Sequence, residues 1–199
     1  MTRRIKKQSG CLFIVSAPSG AGKTTLCNAA IKRFPNLTYS ISHTTRPPRK
    51  GERHGVDYFF IDRLAFEQKV KQKFWAEWAQ VHHHYYGTSA DFLNDRLASG
   101  RDILLDLDVQ GTRQMIRRYP DCVTVFILPP SLDVLKTRLE ARATDEPAVI
   151  ARRLETAKQE MAQSALYRYV LVNDQLDIAL NRFFEIIRSH GSVDPVPGG

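Results

Sequence analysis

A chain of 199 residues, 43% of them hydrophobic, can bury one sizeable core carrying one or two insertions. The formal net charge of +8 does not make it a nucleic-acid binder, because four of its basic residues, Arg3, Arg4, Lys6 and Lys7, belong to a short N-terminal arm and no aromatic residues interleave with a basic stripe. No apolar run approaches the roughly 20 residues of a membrane span, the run behind the arm is broken at Pro18 and Gly20 unlike a secretory signal, and Cys11, Cys27 and Cys122 fit neither a zinc site nor a disulfide framework. A reducing, cytoplasmic setting is expected, with the thiols acting as small buried apolar residues.

Leu12-Phe13-Ile14-Val15 reads as a strand and Leu26 to Phe34 as a helix closed by Pro35. Between them stands Ala17-Pro18-Ser19-Gly20-Ala21-Gly22-Lys23-Thr24, a phosphate-binding loop. Successive N–H groups of such a loop point into one concavity, the following helix adds its positive end, and Lys23 adds a full charge at the β and γ phosphates. Thr24 can offer its hydroxyl to Mg²⁺. Ala17 stands where the common pattern has glycine, so the chain must enter the loop with ordinary backbone geometry.

A short strand around Thr38 to Ile41 follows, then a Pro- and Arg-rich segment, Thr44 to Gly51, that cannot be regular helix. Ser42, Thr44, Thr45, Arg46, Arg49 and Glu52 make a second polar cluster there, whose guanidiniums can clamp phosphate oxygens bidentately. A second phosphorylated substrate is implied. Val56 to Gly87 is rich in aromatics and reads as an insertion with its own minor core.

The α/β rhythm resumes with a strand over Asp102 to Asp108, a helix to Tyr119 and a strand Val123 to Leu128 ended by Pro129-Pro130. Ser131 is the expected N-cap of a helix from Leu132 to Ala141. A polar break over Ala143 to Pro147, a helix from about Val149 to Ser164, a strand Tyr169 to Val172 and a helix Ile178 to Ser189 complete the set, and the Pro/Gly-rich tail from Gly191 is expected to be disordered. Alternating strands and helices argue a mostly parallel sheet covered on both faces. Asp106 and Asp108, two apart on the predicted strand, would share a face near its C-terminal end, where α/β folds bind ligands.

Taken in order, Ser16 to Thr24, Ser42 to Glu52, Gly55 to Phe60, Glu77-Trp78-Ala79, Tyr85 to Thr88, Asp106 to Gly111 and Val172-Asn173-Asp174 resemble the motifs of the guanylate kinases, P-loop enzymes that move the γ-phosphate of ATP onto GMP. The resemblance runs from about Cys11 to Ser189. It implies a P-loop α/β core of parallel strands flanked by helices over residues 11–41 and 90–189, a mixed α+β GMP-binding insertion over 42–89, and a helical lid at about 137–155. Residues 1–10 remain a basic arm and 190–199 a tail.

The resemblance further implies that ATP contacts Ala17 to Thr24, Thr25 and Asn173, and that Ser42, Arg46, Arg49, Glu52, Tyr58 and Tyr86 surround the GMP phosphate. Glu77, Thr88 and Asp106 would read guanine, whose N1–H and amine suit carboxylate acceptors while O6 accepts from a hydroxyl. Lys23, Arg138, Arg142 and Arg153 would neutralise charge on the transferred phosphoryl group; without the resemblance the three arginines read as solvated surface residues. Mg²⁺ is the implied cofactor, at Thr24 and through water at Asp108.

Two positions depart from the family pattern. Ala143 stands where the family commonly has a glycine after the lid arginine, a change expected to stiffen the hinge, and His82-His83-His84 stands where the family often has Gly-Asn before the paired tyrosines. Adjacent histidines point in different directions and make a poor metal site. Two alternatives stay open: a noncatalytic binding module of the same fold, which would lack an intact loop, and a kinase for ribose bisphosphate, which would lack the guanine-reading carboxylates. Expected partners are ATP and GMP, with no nucleic acid or membrane, and a homo-oligomer is compatible with the sequence.

Overall fold

Five successive buried residues, Leu12–Ser16, form strand β1, as befits a strand covered on both faces of a parallel sheet. The computed structural model describes residues 9–81, 83–141 and 146–192; the N-terminal arm, His82, Arg142, Ala143 and most of the tail lie outside the described residues. Helix α1 (Lys23–Arg33) starts at the loop lysine itself. After β2 (Leu37–Tyr39) the chain leaves the first sheet for β3 (His43–Thr44), β4 (Phe59–Phe60), α2 (Arg63–Lys71), β5 (Trp75–Val81) and β6 (His84–Ser89). It returns with α3 (Ala90–Ala98), β7 (Asp102–Asp106), α4 (Val109–Arg118), β8 (Val123–Leu128), α5 (Leu132–Glu140), α6 (Pro147–Met161), β9 (Tyr169–Val172) and α7 (Leu176–His190).

The first sheet runs β2-β7-β1-β8-β9, with every neighbouring pair parallel. Side chains alternate along β1, so its two faces build two cores. Phe13 and Val15 pack with Leu26, Phe34, Phe183 and Ile187 of the layer that includes α1 and α7. Leu12 and Ile14 pack with Leu93 and Met115 of the layer that includes α3 and α4. This is a P-loop α/β fold.

The second sheet is mixed, in the order β4-β3-β6-β5, with β3 parallel to β4 and antiparallel to β6. Its core is aromatic: the Phe66 ring stacks on Trp75 at 4.4 Å and on Tyr85 at 5.1 Å. A bulge between Trp75 and Glu77 breaks the register of β5 with β6, leaving Trp75, Ala76 and Glu77 all buried.

One expected element is corrected. The strand read as Asp102 to Asp108 ends at Asp106, because Asp108 is the N-cap of α4 and its carboxylate accepts from Gly111 N at 2.7 Å. Asp106 and Asp108 therefore do not share a strand face. Ser131 caps α5 as expected, accepting from Val134 N at 3.1 Å. Cys27 and Cys122 are buried, whereas Cys11 is only partly so. Among the described residues no helix is long and apolar enough to cross a membrane.

Candidate active site

Two glycines shape the loop between β1 and α1. Gly20 and Gly22 both hold φ at 94°, a conformation that side chains strain to adopt. At Gly22 a Cβ would also stand 2.2 Å from Asn173 Nδ2. That amide donates to Ala21 O at 2.8 Å, and the Asn173 carbonyl accepts from Arg138 Nη2 at 3.0 Å. Asn173, expected among the ATP contacts, thus braces the phosphate loop from behind and links it to α5. Ala17 keeps ordinary backbone geometry, since the described non-glycine residues with positive φ are Lys73 and His83.

Lys23 Nζ donates to Asp106 Oδ1 at 2.5 Å. Burial alone would lower the pKa of this amine, but the charge and hydrogen bond of Asp106 outweigh it and leave the pKa raised, so the amine stays charged. Thr24 and Thr25 stand exposed in the first turn of α1. The lysine of the phosphate loop therefore reaches the floor of the neighbouring pocket.

That pocket, of about 260 Å³, brings together Ser42, Tyr58, Glu77, Tyr86, Asp106 and Asp108. Ala79, Val81 and Leu107 give it an apolar side that the sequence did not single out. Glu77 is only 4% exposed, and burial, reinforced by the Asp108 charge, pushes its carboxyl up to about 7 against the opposing Thr88 hydrogen bond. Thr88, wholly buried, donates its hydroxyl proton to Glu77 Oε1 at 2.6 Å and so orients the carboxylate. Gly111 marks how closely two acids approach: a Cβ there would lie 2.8 Å from Glu77 Oε2 and 3.4 Å from Asp108 Oδ1.

Arg46 sits at the rim, its Cζ 5.4 Å from the Tyr58 ring centroid, and the Tyr58 and Tyr86 rings lie 6.0 Å apart. Arg46 Nη2 donates to Glu52 Oε1 at 2.8 Å, while Arg49 N donates to Glu52 Oε2 at 2.7 Å. Glu52 thus organises the loop that presents both arginines. The Arg49 side chain itself is exposed. On the far side, Arg153 is half-buried on α6 and Arg142 lies outside the described residues. Glu160 on α6 was not foreseen: burial raises its carboxyl, and Lys23 and Asp108 both act on it electrostatically. Nothing in the sequence sets it apart from any other helix carboxylate.

His83 takes φ of 71° in the turn between β5 and β6, and among the described residues no three His, Cys, Asp or Glu side chains gather as metal ligands. Hard oxygen donors stand at the meeting of loop and pocket, in Thr24 and Asp106, and they suit a divalent ion held chiefly by nucleotide phosphates and water.

The family model for guanylate kinase matches residues 9–190. Among similar proteins are guanylate kinases of Geobacter sulfurreducens, 47% identical over 181 residues (91% of this chain and 89% of the relative), and of Methylococcus capsulatus, 48% identical over 180 residues (90% and 88%). The crystal structure of guanylate kinase from Anaplasma phagocytophilum superimposes with a TM-score of 0.74 at 30% identity, covering 96% of this chain and 92% of that one.

Proposed function

The chain belongs to the guanylate kinase family and transfers the γ-phosphate of ATP to GMP; on that premise we propose how its residues share the work. The observation that carries the assignment is the pair of acids at one pocket wall, Glu77 and Asp108, held close across Gly111. Guanine offers two adjacent donors, N1–H and the exocyclic amine, and two neighbouring carboxylates accept them. Adenine has no such edge. A site with buried acceptors rejects a base that leaves them unpaired far more strongly than shape alone would. Asp108 thus takes the guanine-reading part that the family resemblance implies for Asp106.

Asp106 then belongs to the phosphate side, where it holds Lys23. Arrival of the ATP phosphates gives Lys23 a stronger partner and frees the carboxylate. Thr24 and Asp106 are the residues that would hold Mg²⁺, which supplies charge neutralisation on the ATP phosphates when bound. Ser42, Arg46, Arg49, Tyr58 and Tyr86 hold the GMP phosphate, with Glu52 setting the arginines. The GMP phosphate is already an oxyanion nucleophile near neutral pH, so no general base is required; alignment and charge compensation by Lys23, Arg138, Arg142 and Arg153 lower the barrier. Residues 42–89 serve as the acceptor domain and about 137–155 as a lid that excludes water.

Free cysteines support a cytoplasmic location. The test is an acceptor panel with ATP and Mg²⁺: GMP is phosphorylated best, dGMP less well, and AMP, CMP and UMP poorly. Equal rates with GMP and AMP would overturn the base-reading assignment.

A further inference from the structure

Strand β5 carries Glu77 and lies at the edge of its sheet, so one side of its backbone has no partner strand. Helix α4 fills that role with side chains. Gln114 grips a single residue of the strand from both ends: its Oε1 accepts from Trp78 N at 3.2 Å and its Nε2 donates to Trp78 O at 2.8 Å. One turn further along, Arg118 Nη1 donates to Trp75 O at 3.0 Å. The two grips flank Glu77 on the strand.

The same helix begins at Asp108, carries Gly111 against Glu77, and is fastened to the core by Thr112, whose hydroxyl lies 3.0 Å from Ser16 Oγ at the end of β1. The spacing of Glu77 from Asp108 is therefore not a property of the pocket wall alone. Gln114 of the same helix holds the residue next to Glu77. We propose that Gln114 is a positioning residue for guanine selectivity, locking the strand that bears Glu77 onto the helix that starts at Asp108. The proposal rests on those two acids reading guanine.

The experiment compares kcat and KM for GMP and for IMP, which lacks the exocyclic amine, in the parent chain, Gln114→Ala, Gln114→Met, Glu77→Gln and the double variant Glu77→Gln/Gln114→Ala. Gln114→Ala should lower kcat/KM for GMP about tenfold, as expected for lost hydrogen bonds, chiefly through KM. With Glu77 accepting from the exocyclic amine and Asp108 from N1–H, IMP should suffer about threefold or less, and the KM for ATP should change by less than about twofold. Gln114→Met keeps the bulk without the amide and should behave alike, which separates lost positioning from lost packing. In the Glu77→Gln background Gln114→Ala should change GMP use by less than about twofold, because the group it positions is gone. Equal losses for GMP and IMP, or full additivity in the double variant, would overturn the role of Gln114. If Glu77→Gln itself leaves the GMP to IMP ratio unchanged, the base reading fails instead.

Discussion

The two sheets solve opposite problems. In the first, β1, β7 and β8 are buried along nearly their whole length and lie between two apolar layers. In the second, β5 and β6 are mixed in exposure, the core is a few stacked rings, and a carboxylate is buried among them. Of the four buried side-chain polar atoms without a hydrogen-bond partner among the described residues, three, Ser40 Oγ, His43 Nδ1 and Trp75 Nε1, lie in the insertion or at its entry. Phosphate is held by backbone, which a rigid sheet positions without asking much of side chains; a base is read by side chains, and burying them strains the layer that carries them.

Lys23→Ala breaks the core side of this contrast. It should lower kcat roughly 10³-fold, since a fixed cation is lost where transition-state charge collects, while GMP binding measured by calorimetry largely persists. Turnover within a few-fold of the parent would contradict the role of the loop.

Glu77→Gln breaks the other side. Placing an amide donor before a guanine N–H should cost about 2–3 kcal/mol, roughly 30- to 150-fold in kcat/KM for GMP, with ATP affinity nearly unchanged. Steady-state kinetics with each substrate varied in turn checks this. Glu52→Gln should act more weakly: it loosens Arg46 and Arg49 without removing either, so KM for GMP rises about three- to tenfold and kcat holds.

The smallest effect is on stability against pH. Glu77 titrates near 7 in the folded chain instead of 4.5, because burial favours the neutral acid. The folded state then binds the extra proton between pH 4.5 and 7, and stability falls as pH rises through that window. His43, stacked on Phe59 at 4.7 Å, is lowered from 6.5 to about 4, by burial and then by Lys69 and His54. Here the unfolded state binds the extra proton, so stability rises with pH from about 4 to 6.5. The slopes oppose each other. Glu77→Gln should unmask a rising profile and His43→Phe a falling one, each by a few degrees in Tm followed by calorimetry between pH 4.5 and 7.5. Parallel profiles in all three proteins would refute the opposition.

Local signals carry most of the fold and the phosphate loop. The phosphate loop is legible because one stretch of chain makes it, and the strands at Val123 and Tyr169 because parallel strands are continuous apolar runs. The N-cap at Asp108 is hidden because an alternating Asp-Leu-Asp run also fits a strand; the competing signal is an aspartate three residues before Gly111, the spacing of an N-cap bond. The bond from the Thr88 hydroxyl to Glu77 is not legible, because the two residues meet across a bulged strand pair whose register no spacing reveals. The grip of Glu52 on Arg46 is local, yet spacing alone does not separate a carboxylate that sets two arginines from one that joins them in a single cluster.

Asn173 stands 152 residues after Ala21, whose carbonyl it holds, and beside Gly22, whose empty side it fills. During synthesis the phosphate loop leaves the ribosome early, yet the residue that braces it follows only with the last strand of the sheet. A nascent chain thus carries the nucleotide-binding sequence long before it carries the nucleotide-binding shape. Until Asn173 has been made, the loop lacks that brace.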